Sequence, residues 1–309
     1  MIDLSAFLAG DEAGTAGAVE EVGAAAESVG FFIIVGHGVP ETLDDTLASL
    51  SRAFFDLPAD SKRRTAAAGP HLGGLTYFPL SEEALSLGIG LETAGDLKET
   101  LDFGPAWCGD LWPGQPVGLR EAWHDYYRTM SDLAGSLRRL FALAIGLPEM
   151  FFEEMFVDHL STVRVLNYPD QREEPCPGQL RAGVHTDYGF LTILRAGDSP
   201  GGLQVQDLSR QWVDVPNIFG SFVINIADAL QRWTNGRFRS TPHRVVNPPR
   251  DASGSTRRQS IAFFHNPART AVIVCLEPFR AGAKSLPEPI TYGDYADLKY
   301  RTTHRVKGS

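Results

Sequence analysis

Of the eight histidines in the chain, only His185 has a carboxylate two residues later, in His185-Thr186-Asp187. On an extended segment, residues i and i+2 point to the same face, so an imidazole and a carboxylate converge there. A third ligand must come from elsewhere, and His243 opens the strand-like run His243-Arg244-Val245-Val246. Two histidines and one carboxylate on one face leave open octahedral positions, an arrangement suited to iron(II) that must also take further ligands. The tripeptide alone is weak evidence, since a surface His–Asp pair also explains it, and the ligand set also suits zinc. Apolar segments on both sides of the tripeptide favour a buried metal.

A second constellation is Arg258-Gln259-Ser260, directly before the apolar run Ile261–Phe264. Alternation again puts residues i and i+2 side by side, here a guanidinium fork and a hydroxyl. That is a donor set for a carboxylate, charge-assisted and able to bind both oxygens. The competing reading is a surface arginine after the loop Asp251–Thr256, and it fits Arg257, on the opposite face, better than Arg258.

The bulk numbers narrow the function classes. The chain has 309 residues, 43% hydrophobic and 21% charged, enough to bury a large core. The formal net charge of −10 leaves no global basic field for a polyanion, so nucleic acid is not an expected partner. The locally basic set Arg232, Arg237, Arg239 and Arg244 reads as solvated surface with one or two structural pairs. Cys108, Cys176 and Cys275 are far apart and lack C-x-x-C spacing, which argues against a disulfide framework and a thiolate zinc site. Cys275 reads as packing in a strand within Ala271–Leu276. No signal-like start or membrane-length apolar run is present, so the expected setting is the cytoplasm without a membrane partner, and the expected state a monomer.

Helices are expected first and strands second. Alanine- and glutamate-rich Ala16–Ser28, Glu41–Phe55 after Pro40, and Leu119–Ala144 carry apolar positions at helical spacing. Phe31–Val35, between Gly30 and Gly36, reads as a strand, and residues 64–117 read as irregular loops. From about residue 160, short strand-forming runs follow one another: Val163–Tyr168, Leu191–Arg195, Leu203–Gln206, Trp212–Val215, Phe222–Ile226, His243–Asn247 and Ser260–Phe264. Many short strands punctuated by Gly, Pro, Asn and Asp indicate a sandwich or barrel.

The sequence resembles the isopenicillin N synthase-like branch of the iron(II)/2-oxoglutarate-dependent dioxygenases over nearly its whole length. Ile2-Asp3-Leu4-Ser5, Gly30–Val39, Phe54–Pro58 with Lys62, Asp96–Glu99 and Gly104 look like the N-terminal region of that family. Asn167-Tyr168-Pro169, His185-Thr186-Asp187, Asn225–Asp228, Thr234–Arg237, His243-Arg244-Val245 and Arg258-Gln259-Ser260 follow in the family's order. The resemblance implies an α+β protein with a mainly β core, a double-stranded β-helix (jelly-roll) barrel flanked by helices. It would form one domain over 1–309: a helical and loop region at 1–117, a long helix and connection at 118–160, the jelly roll at 161–290, and a C-terminal helix or tail at 291–309. Ala227 replaces the family's usual glycine, and Thr76 stands where glycine usually precedes the tyrosine matched by Tyr77.

Matched residue by residue, His185, Asp187 and His243 would hold Fe(II). Arg258, Ser260, Tyr168 and Asn225 would contact the 2-oxoglutarate cosubstrate, while His37 would be structural. The implied activity is oxidation of a small organic molecule with O2: hydroxylation, with desaturation or cyclisation as variants, giving succinate and CO2. The alternatives are an oxidase of the same fold working without 2-oxoglutarate, since Arg-x-Ser reports only a carboxylate partner, and a non-catalytic metal-binding barrel. The pocket is expected to be walled by Tyr77, Glu83, Phe103, Arg164, Phe190 and Phe264. Glu83 would meet a cation or cap a loop, and Arg164 would meet a carboxylate or form an internal ion pair. The segment Asp170–Arg181 reads as a lid over the barrel mouth or a plain surface loop.

Overall fold

The computed structural model describes residues 1–65, 75–104, 112–197, 201–281 and 285–303. Two sheets face each other. The larger runs in the order β1 (Ile2–Asp3), β2 (Phe31–Val35), β10 (Phe222–Ile226), β7 (Leu191–Arg195), β12 (Arg258–His265), β5 (Thr162–Tyr168), β4 (Glu99–Phe103) and β3 (Thr76–Phe78). The smaller runs β6 (Ala182–His185), β11 (His243–Val245), β8 (Leu203–Gln206) and β9 (Trp212–Asp214). A separate pair, β13 (Val272–Ile273) and β14 (Ile290–Thr291), lies toward the C-terminus.

The central strands β10 and β12 are buried along nearly their whole length, as strands covered on both faces must be. Alternation along β5 and β12 divides their two sides. Val163, Val165, Ile261 and Phe263 are fully buried in the main apolar core, whereas Thr162, Arg164, Leu166, Tyr168, Arg258, Ser260, Ala262 and Phe264 face a cavity between the sheets.

The helices cover the core side. Helix α5 (Leu119–Ala144) buries Trp123, Tyr126, Met130, Leu133, Leu137 and Phe141, an i, i+3, i+4, i+7 stripe. It packs against α2 (Glu12–Glu27) and α3 (Glu41–Phe55). Short helices α1 (Ser5–Leu8), α4 (Ala59–Thr65) and α6 (Asp228–Trp233) lie in the connections. Helix α2 begins before the expected residue 16 because Asp11 caps it, its carboxylate accepting from the Gly14 amide at 2.9 Å. Gly30 is obligatory where α2 hands over to β2: its φ is +70°, and a Cβ there would lie 2.0 Å from the Arg239 carbonyl oxygen.

Part of 64–117, expected to be irregular, is ordered structure. It contributes β3, β4 and a 3-10 helix at Leu85–Ile89, and every residue of β4 is buried. Its charged and polar residues concealed the strand, because they face partners within the protein. The stretches 66–74 and 105–111 of that region, with Cys108, lie outside the described residues, as do 304–309 of the expected tail. Cys275 is buried but lies beyond β13. His37 is held between the Gly220 carbonyl (3.1 Å) and the Val39 amide (3.2 Å). Arg237 pairs with Glu27, and Arg244 lies 4.1 Å over the Trp212 ring and donates to Gln204.

Candidate metal centre and its cavity

The two histidines meet because β6 and β11 pair antiparallel with His185 directly opposite His243, their ring centroids 4.2 Å apart. Their inner nitrogens are tied down locally: His185 Nδ1–H donates to the Gly183 carbonyl at 2.7 Å and His243 Nδ1–H to the Thr241 carbonyl at 3.1 Å. Those bonds select the tautomer that leaves Nε2 as a lone pair facing the cavity. Each Nε2 lies 3.8 Å from Asp187 Oδ1.

Asp187 does not sit on an extended strand as expected from His-x-Asp. Strand β6 ends at His185, and Asp187 lies in the connection to β7, where its carbonyl accepts from the Asp228 amide at 2.8 Å. Its aim is set instead by the facing sheet. Thr192 and Asn225 are cross-strand partners on β7 and β10, and both donate to Asp187 Oδ2, at 2.5 and 2.8 Å. Oδ1 is thereby left toward the imidazoles. Asn225, expected at the cosubstrate, lines the cavity and donates its amide nitrogen to the Asp187 carboxylate. Thr192 carried no motif signal; only the register that pairs it with Asn225 reveals its role.

The electrostatics suit a cation. Burial, followed by the neighbouring His243, pushes His185 down to about 3, so it is neutral and can ligate. For Asp187, burial opposes ionisation, but His243, His185 and the two hydrogen bonds outweigh it and hold the carboxyl below its ordinary range. One ligand atom from each of the three residues lies within 4.8 Å of the others, and no fourth His, Cys, Asp or Glu joins them among the described residues. Two imidazoles and a carboxylate with a flank open to a cavity fit iron(II).

The cavity, about 330 Å³, extends from the triad in two directions. One leads to Arg258, which lies directly opposite Tyr168 in the β12–β5 pairing with its guanidinium 5.0 Å from the ring centroid. Arg258 is 3% exposed; its Nη1 donates to Ser260 Oγ at 3.2 Å, and its Nε has no hydrogen-bond partner among the described residues. A buried guanidinium with unused donors is suited to a carboxylate. Tyr168, Leu85, Ala182, Leu203 and Val245 form an apolar sleeve beside it. Arg181, which the sequence reading passed over, is buried 5.9 Å from the centre of the same Tyr168 ring and donates to the Thr256 carbonyl at 2.5 Å. As alternation along the strand leads one to expect, Arg257 points elsewhere, to Asp56 and Asn167.

The other direction is lined by Glu83, Asp102, Arg164, Phe78 and Phe264 from the body of the protein. From helix α7 (Tyr292–Thr303) come Tyr292, Ala296, Asp297, Tyr300 and Thr303. Three expected wall residues are absent. Tyr77 and Phe103 are one position out of phase: alternation sends Phe78 and Asp102 to the cavity. Tyr77 turns to Glu99 (2.5 Å), and Phe103 packs on Trp112, His124 and Tyr127. Phe190 is fully buried against Phe141, Phe152, Phe156 and Trp233.

The segment Asp170–Arg181 does not line the cavity either. Asp170 accepts from the Thr256 and Arg257 amides, and Gln179 donates to the Gly95 carbonyl. Of the two readings of Arg164, the structure has the internal ion pair, with Asp102 and Glu83, so that Glu83 meets a cation of the protein itself, and all three residues border the cavity.

A jelly roll whose facing sheets bring a His-Asp-His triad beside a buried arginine defines a mononuclear non-haem iron protein. Residues 161–267 match the family described as the 2OG-Fe(II) oxygenase superfamily, and residues 1–124 match that of the non-haem dioxygenase in morphine synthesis N-terminal region. Validamycin A dioxygenase of Streptomyces hygroscopicus subsp. limoneus is 30% identical, over 92% of this chain and 81% of its own. A homoarginine-6-hydroxylase of Arabidopsis thaliana is 30% identical over 98% and 88%. The crystal structure of a full-length Neurospora crassa protein in complex with α-ketoglutarate superposes with a TM-score of 0.85 at 30% identity, covering 97% of this chain and 94% of that one. The chain belongs to the 2OG-Fe(II) oxygenase superfamily. It is a 2-oxoglutarate-dependent dioxygenase that uses Fe(II), 2-oxoglutarate and O2 to oxidise a small molecule.

Proposed function

We propose that His185, Asp187 and His243 hold the iron, that Arg258 and Ser260 take the far carboxylate of 2-oxoglutarate with Tyr168 beside them, and that the reaction is hydroxylation. The observation that carries this reading is the joint orientation of the triad: two imidazoles with their Nδ1 atoms occupied and one carboxylate with Oδ2 occupied, all presenting their remaining atom to one cavity. When bound, iron(II) activates dioxygen while 2-oxoglutarate is converted to succinate and carbon dioxide. The protein positions and desolvates. Asn225 and Thr192 keep Asp187 from rotating, Arg258 anchors the cosubstrate, and the Leu85–Leu203–Val245 sleeve excludes water along it. Glu83, Arg164, Phe78, Phe264 and α7 form the substrate side. Hydroxylation is favoured over desaturation or cyclisation by the relative named as a hydroxylase.

Anaerobic addition of iron(II) and 2-oxoglutarate is expected to give a visible charge-transfer band that zinc cannot produce. No band with iron, or no succinate formed from 2-oxoglutarate in air, would contradict the assignment. We further infer one domain acting as a monomer in the cytoplasm, without nucleic acid or membrane partner. The net charge of −10 supports the lack of a nucleic-acid partner, and among the described residues no helix is long and apolar enough to cross a membrane.

A further inference from the structure

The cosubstrate end of the cavity holds a second buried guanidinium. Arg181, 5% exposed, immediately precedes β6, the strand that ends at His185, so it approaches Arg258 from the opposite sheet. Its Nη2 donates to the Thr256 carbonyl at 2.5 Å and to the Pro169 carbonyl at 3.4 Å. Pro169 follows Tyr168, and Thr256 comes two residues before Arg258. One side chain therefore ties together the two chain segments just beyond the Tyr168–Arg258 rung, where the β5–β12 ladder ends. The Tyr168 ring neighbours both cations, its centroid 5.0 Å from the Arg258 guanidinium and 5.9 Å from that of Arg181.

Holding two carbonyl oxygens asks only for a neutral donor. A buried positive charge is another matter, since its removal from water is costly unless an opposite charge stands nearby. Among the described residues, Arg181 and Arg258 donate to carbonyl and hydroxyl oxygens, and neither forms an ion pair. Asp170, whose charge reaches Arg181, is exposed and committed to Ser255 Oγ and the amides of Thr256 and Arg257. Lys98, another cation bordering the cavity, is already paired with Asp96 and Glu83. Burial, and after it the like charge of Arg258, lowers the pKa of Arg181, although an arginine stays protonated. Two like charges held together without an acid are stabilised by an anion beside them, and the far carboxylate of 2-oxoglutarate is such an anion. Arg181 does not itself border the cavity, so it acts on that carboxylate through its field and through Tyr168 and Arg258, which do.

We propose that Arg181 is a positioning residue for the cosubstrate, a second guanidinium that fixes the Tyr168–Arg258 rung and completes the positive field drawing the far carboxylate of 2-oxoglutarate. This rests on the cosubstrate assignment above and adds to that site a residue from the facing sheet. The test is anaerobic calorimetric titration of the iron(II)-loaded protein with 2-oxoglutarate and with 2-oxopentanoate, in which a methyl group replaces the far carboxylate. The ratio of the two affinities reads the carboxylate alone, whereas a general disturbance of the pocket weakens both ligands alike.

Arg181→Gln is expected to lower the ratio by about tenfold, the effect of one charge beyond contact in a partly screened interior, with 2-oxopentanoate binding unchanged. Arg181→Lys, which keeps the charge, should recover most of the ratio. Arg258→Met, with Arg181 intact, should leave a residual preference for 2-oxoglutarate of about tenfold. That variant decides the question if Arg181→Gln does not fold by circular dichroism. The inference is overturned by an Arg181→Gln ratio equal to that of the unaltered protein, or by equal weakening of both ligands. It is overturned as well by an Arg181→Lys ratio as low as that of Arg181→Gln, or by an Arg258→Met protein with no preference left. The charge-transfer band recorded on the same samples separates the failures. Its absence from the unaltered protein with 2-oxoglutarate counts against the oxygenase site, whereas its presence with any of these outcomes counts against the role of Arg181 alone.

Discussion

The two ends of the cavity are built differently. At the metal and cosubstrate end, nearly every side chain stands on a paired strand, and its neighbour across the ladder is another member of the site: His185 with His243, Thr192 with Asn225, Tyr168 with Arg258. At the substrate end, Arg164 and Asp102 make the one such pair among the described acids and bases. Glu83 precedes a 3-10 helix, and α7 reaches in from the C-terminus. The ladder holds chemistry that tolerates little displacement, whereas loops and a terminal helix carry what differs with substrate.

The sharpest way to break the comparison is at the strand-held end. His185→Ala is expected to abolish metal-dependent turnover to background with an unchanged circular dichroism spectrum. Retained turnover would mean that the ladder does not hold the metal. Arg258→Ala should weaken 2-oxoglutarate binding by roughly a hundredfold, the magnitude of two charge-assisted hydrogen bonds, and substrate binding much less. Equal losses in titrations of the two ligands would remove the distinction between the ends.

Thr192→Val frees Asp187 Oδ2 from one donor, and iron affinity measured by competition with a chelator should fall about tenfold, as for other groups that orient metal ligands. At the substrate end, Arg269→Ala breaks an ion pair with Asp297 whose side chains are 60% and 38% exposed. It should change the unfolding free energy by less than about 1 kcal/mol. A larger loss in denaturant titration would show α7 to be as firmly held as the strands.

Much of this was legible in the residues. Helix α5 and strands β2, β7, β8 and β10 coincide with expected boundaries, because an apolar face at period 3.6 or 2 is a local property of the chain. The strand β4 was concealed because its glutamate and aspartate are buried against Lys62, Asn167 and Arg164, partners remote in sequence. Tyr77 and Phe103 were expected in the cavity from the regions that wall the pocket in the family the sequence resembles, whereas register by a single residue decides which face a side chain occupies. Phe190 was misplaced for a related reason: an aromatic beside the metal motif serves a core as readily as a pocket.

By itself, then, the order of residues determined the chemical inventory: the metal ligands, the arginine and serine spaced for a carboxylate, and a strand-rich C-terminal half. Only the tertiary structure decided that Thr192 and Asn225 aim Asp187, that Arg164 is shared between two acids, and that α7 rather than 170–181 borders the cavity. Residue type and spacing are written along the chain. Strand register and the approach of distant segments arise from packing the whole chain at once, and they set which partner each side chain meets.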